Sequence, residues 1–160
     1  QGRYAHRRLH HPGLMPDQSQ RPRRSRGSAT GDNPRTDARE RALSLLYEAE
    51  TKQIAPSEVL AALVLRADQF TERLVLGVQE HREQFDGLIA EHAKGWALDR
   101  MPLIDRAVLR IALFELSFET ETPVAVIINE AVELAKRFST DDSSRFVNGM
   151  LSTLAPKLRA

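Results

Sequence analysis

The chain of 160 residues contains no cysteine. That absence excludes a disulfide framework, a zinc ribbon and a cysteine nucleophile. No uninterrupted apolar run approaches ~18 residues, so no transmembrane helix is expected. Residues 1–30 lack the apolar core of a secretory signal, and they lack the amphipathic apolar face of an organelle transit peptide. Met15 offers an alternative start. Glycine is scarce beyond the first 36 residues, where Gly77, Gly87, Gly95 and Gly149 stand isolated. There is therefore no glycine-rich loop to cradle a phosphate.

Charge is present and unevenly placed. Residues 1–36 hold eight arginines against Asp17 and Asp32, about +6, whereas residues 37–160 hold 15 basic and 20 acidic side chains, about −5. A basic arm on an acidic body points to an anionic partner. The arm carries four of the eight prolines and four of the eight glycines, with Leu9 and Leu14 its only leucines. Too little apolar surface is available to offset a backbone ordering cost of roughly 1–2 kcal/mol per residue. Residues 1–36 are expected to be disordered when unbound, and residues 37–160 to form one helical domain.

Within the body, apolar residues recur every three or four positions. Asp37 to Glu40 has the form of a capping box ahead of Ala38, Ala42, Leu45, Leu46 and Ala49. Pro56 and Pro102 open further helices, and Thr122-Pro123 is a cap followed by a first-turn proline. Phe70 to His92 continues the pattern, with a bend or a division expected near residues 81–83. The helix after Pro102 is apolar on nearly all sides, which marks it as central. No segment alternates with period two. The expected fold is all-α, with about six or seven helices. Gly149, inside the last helix, suggests a close helix approach.

Nothing in the body composes an active site. His81 and His92 share a helical face but lie about 16 Å apart along the axis, too far for one metal. No HExxH is present, and no cofactor is implied. Arg106 and Arg110 lie on the apolar helix and need carboxylates, with Glu115 or Glu130 the candidates. Glu133 and Arg137 stand four apart in the favourable order for a helix pair. The polar groups that suggest function are Arg35, Arg39 and Arg41, where the arm meets the body, with the Arg21–Arg26 run upstream. Arginine forks match phosphate geometry, and a basic arm suits an RNA backbone. None of these arginines belongs to an apolar stripe, so replacing Arg35 and Arg39 together with alanine is expected to leave the fold intact.

Four separated segments resemble the NusB family of bacterial transcription antitermination proteins. They are Ala38-Arg39-Glu40-Arg41-Ala42-Leu43-Ser44-Leu45-Leu46-Tyr47, Asp105 to Leu116, Ile128-Asn129-Glu130-Ala131-Val132-Glu133-Leu134-Ala135-Lys136, and Asp142 to Leu151. They occur in the family's order across residues 37–156. The resemblance implies two packed helical subdomains and a non-enzymatic role in the bacterial cytoplasm. It implies binding to the boxA element of nascent ribosomal RNA together with the small-subunit ribosomal protein NusE, in an antitermination complex on RNA polymerase. Basic residues at the start of the first helix hold RNA in that family, and here Arg35 and Arg39 take those positions. Thr36 and Asp37 interrupt the cluster, and the denser arginine run lies about ten residues upstream. Two other readings fit the same residues. One is the RNA-binding module of a ribosomal RNA methyltransferase, although these 160 residues contain no strand–glycine–helix unit for a methyl donor. The other is a homodimeric helical scaffold.

Overall fold

A computed structural model describes residues 33–159; the arm through residue 32, with its Arg21–Arg26 run and Met15, lies outside the described residues. The elements are α1 (Pro34–Lys52), α2 (Pro56–Ala61), α3 (Gln69–His92), a short 3-10 turn (Leu98–Arg100), α4 (Leu103–Phe118), α5 (Val124–Phe138) and α6 (Ser143–Leu158). Among the described residues there is no strand. Among those residues, no helix is long and apolar enough to cross a membrane.

Helix α1 starts almost a turn before the expected capping box. The Asn33 carboxamide oxygen accepts from the backbone N–H of Arg35 at 3.0 Å and of Thr36 at 3.4 Å. Pro34 follows in the first turn, where its missing N–H costs nothing. Asn33-Pro34 supplies both a cap and a preset φ, so Asp37 becomes a first-turn acid, where the helix dipole favours it. The helix ends at Gln53, which adopts a left-handed φ of 54°.

Asp68 caps α3 through its carboxylate and the Thr71 amide, 3.1 Å apart. Burial pushes the Asp68 carboxyl up, but hydrogen bonds from Thr71 and neighbouring backbone amides outweigh it and hold the group below its ordinary range. The expected division near residues 81–83 does not occur, and α3 is continuous. No proline or glycine falls at those positions, and Leu74, Val78, Phe85 and Ile89 stay on one buried face.

Helix α4 is the hub. It packs against α1, α3, α5 and α6, joining the α1–α3 half to the α4–α6 half. Its residues from Ala107 to Leu116 are all buried, as its apolar density predicts. The close helix approach lies at Gly77, not at Gly149. A Cβ on Gly77 would stand 2.0 Å from Cε2 of Phe114 in α4, whereas one on Gly149 would meet nothing within 4 Å.

The ion pairs also differ from those expected along single helices. Arg110 donates to Asp86 from Nε at 2.7 Å and from a terminal nitrogen at 3.1 Å. Arg106 has Glu50 at 4.0 Å. Glu115 lies five residues beyond Arg110, which turns it by about 140° to another face of α4. Arg137 reaches Glu40 of α1 at 3.1 Å rather than Glu133. With Thr36 Oγ1 donating to Glu130 at 2.9 Å, that contact ties α1 to α5 at two points. At the other end of α4, buried Asp105 accepts from Ser139 at 2.5 Å and Ser143 at 2.9 Å, tying down the α5–α6 connection.

Candidate nucleic-acid interface

The three arginines proposed from the sequence do not form one cluster. Arg35 and Arg41 are exposed. Six residues apart on a helix, they point about 120° away from each other. Arg39 is buried. Its Nε and one terminal nitrogen donate to Glu115, with the shortest contact at 2.8 Å and both side chains 2% exposed. Its other terminal nitrogen is 3.8 Å from Glu130. Burial pushes the Glu115 carboxyl above its ordinary value, against the pull of the Arg39 hydrogen bonds and charge. A guanidinium so enclosed has no edge left for a phosphate. The expectation that Arg39 contacts RNA and can be replaced without disturbing the fold meets a buried ion pair instead. One turn after Arg35, the side chain has already passed beneath α4 and α5.

Arg35 is held on one side and open on the other. Its guanidinium lies 4.5 Å from the centroid of Phe70, and a terminal nitrogen donates to Thr122 Oγ1 at 3.3 Å. A cation over an aromatic face is attracted by the ring quadrupole. Arg39 and Arg73 flank the same ring at 5.4 and 5.2 Å. Arg73 is in turn anchored by Glu119 at 3.0 Å. Arg73 was missed in the sequence, although its three-residue spacing from Phe70 places both on adjoining parts of one helix face. The backbone donors of Arg35 and Thr36 are occupied by Asn33, so an anion at the opening of α1 is met by side chains.

A second feature lies at the opposite end of α4. A cleft of about 410 Å³ is lined by Trp96, Arg100, Met101, Pro102 and Phe146, with Asp105 and Asp142 at its polar side. Trp96 is 57% exposed. An exposed indole beside a second aromatic ring and an arginine is a surface on which an unpaired base stacks. Sequence reasoning placed Trp96 only in a connection, because its distance from Phe146 along the chain hides that both line one cleft. Tyr47, on α1, is 43% exposed.

The histidines are used structurally. The His81 ring stacks on Phe118 with centroids 4.4 Å apart, and His92 Nδ1 lies 2.9 Å from the Leu88 carbonyl. Among the described residues no group of three His, Asp or Glu side chains is placed to hold a metal ion.

The sequence pattern of the NusB family matches residues 36–156. The chain is 47% identical over 124 residues to the Transcription antitermination protein NusB of Acidothermus cellulolyticus, covering 75% of this chain and 86% of that one. The protein of the same name from Salinispora arenicola is 47% identical over 128 residues, covering 76% and 94%. Among solved structures, NusB of T. maritima superposes with a TM-score of 0.73 at 32% identity, covering 80% of this chain and 94% of that one. A structure of the antitermination factors NusB and NusE in complex with dsRNA superposes with a TM-score of 0.66 at 25% identity, covering 77% and 96%.

Proposed function

The chain belongs to the NusB family, and from that premise we propose that it is a non-enzymatic, RNA-binding transcription antitermination factor. It binds the boxA element of nascent ribosomal RNA with the ribosomal protein NusE. The pair acts in an assembly on RNA polymerase in the bacterial cytoplasm. The similar structure containing NusE and double-stranded RNA supports the choice of partners. The basic residues before Asn33 act as an arm, and the body from α1 onward, which takes in residues 33–36 as well as the expected 37–160, acts as the RNA-binding domain.

The observation that carries the reading is the Arg35 guanidinium, exposed to solvent yet preset by Phe70 and Thr122 at the opening of α1. Preorganisation of this kind lowers the ordering cost of gripping a phosphate. Arg41 extends the basic character along α1, and the Trp96–Phe146 cleft supplies a place for unstacked bases. Arginines on phosphates position the RNA, and contacts to bases specify it.

The test is a titration of boxA-like and scrambled RNA, with and without NusE, at several salt concentrations. Each phosphate contact on a single strand contributes about −0.7 to the slope of log affinity against log salt. Replacing Arg35 and Arg41 together with alanine flattens that slope by about 1.4, and equally for both RNAs. An unchanged slope moves the RNA site away from α1.

A further inference from the structure

We propose that Arg159, at the far end of the chain, is a positioning residue for Arg35 and acts through the turn that carries Thr122. The proposal rests on the reading of Arg35 as an RNA contact.

The turn from Glu119 to Thr122 follows the C-terminus of α4, where helical carbonyls run out of partners. The Arg159 fork collects them. Its Nε donates to the Leu116 carbonyl at 3.1 Å, and one terminal nitrogen donates to the carbonyls of Glu115 at 3.1 Å and Glu119 at 2.7 Å. The other terminal nitrogen donates to the carbonyl of Thr122. A cation is also the favoured charge at a helix C-terminus. The turn closes on itself through the Thr122 amide and the Glu119 carbonyl, 3.0 Å apart. Arg159 therefore grips both ends of one turn.

Both supports of Arg35 depend on that turn. The Thr122 hydroxyl accepts from the Arg35 guanidinium. The Glu119 carboxylate holds Arg73, which stands over the Phe70 ring on which Arg35 rests. If the Arg159 fork is lost, the Glu119 and Thr122 carbonyls lose their common donor and the turn loosens. Arg35 then leaves the one rotamer that meets the phosphate, and that contact is lost. No contact between Arg159 and RNA is required.

The experiment measures RNA affinity across salt for the full chain and for Arg35→Ala, Arg159→Ala, Thr122→Val and the Arg35→Ala/Arg159→Ala double variant, with helicity followed by circular dichroism. Arg159→Ala is expected to weaken binding several-fold and to flatten the salt slope by about 0.7, the share of one phosphate. In the Arg35→Ala background it adds nothing, because the group it positions has gone. Thr122→Val removes the hydroxyl but leaves the carbonyl bond to Arg159, and is expected to flatten the slope in the same way. Should Arg159→Ala fail to fold, Thr122→Val decides: a flattened slope supports the proposal and a wild-type slope overturns it. Losses that simply add in the double variant also overturn it. An unchanged slope in Arg35→Ala removes the RNA reading of Arg35 and this proposal together. A flattened slope there with a wild-type slope in Arg159→Ala removes the positioning role alone.

Discussion

Taking the cation away from Arg39 leaves the Glu115 carboxylate enclosed by α1, α4 and α5 with its hydrogen bonds gone. Breaking a buried pair from one side costs about 3–5 kcal/mol, because the remaining charge stays desolvated. Arg39→Met is therefore expected to lower unfolding free energy by about that amount in urea titrations. Arg39→Met combined with Glu115→Leu should recover most of the loss, since a well-packed apolar pair often replaces a buried ion pair without penalty. The pH dependence has a definite sign. Glu115 already has its folded pKa above the ordinary value, and loss of Arg39 raises it further. The contribution of such a group is fully present below its unfolded pKa and is lost as pH rises through the folded one. The penalty of Arg39→Met should therefore shrink between about pH 7 and about pH 5, read as converging urea midpoints for variant and wild type. The partner of Arg39 was not legible in the sequence, because Glu115 lies 76 positions away. Spacing on one helix reveals neighbours at three and four residues, and it read Arg39 beside Arg35 only as surface charge.

Helices were legible as elements, and their contacts were not. Each long apolar stripe became a helix, and Pro56, Pro102 and Pro123 sit at helix openings. Of the misread features, the site of close approach was decided by a distant neighbour, Phe114, whereas the start of α1, set by Asn33-Pro34, and the undivided α3 were decided locally. The two glycines make a matched comparison. Gly77→Ala drives a methyl into the Phe114 ring and is expected to lose about 1–3 kcal/mol, as overpacking does. Gly149→Ala places the same methyl in open space within α6, where alanine is favoured by about 0.5–1 kcal/mol. Thermal unfolding of the two variants checks both signs, with a lowered midpoint for the first and a raised one for the second.

For the whole molecule, composition and period gave the all-helical class, and the four family-like segments gave the order of the two halves. The proposed RNA site was only partly legible. Arg35 was found from the charge split, but Phe70 and Arg73, Thr122, and Arg159 come from three other segments, and only folding brings them to it. On the proposed reading, the salt response of binding depends on side chains that only the assembled body brings together.

The burial of α4 on every side has a consequence for how the native state breathes. Each half leans on α4, so its amides cannot reach water while either half stays closed. Native-state deuterium exchange should show α4 amides exchanging only through global opening, with protection equal to the full stability and falling with denaturant at the global slope. Helix α2, six residues long with only Val59 buried, should exchange first and by local fraying. Fast exchange in α4 while α1 and α5 stay protected would mean that the hub opens independently of the halves it joins.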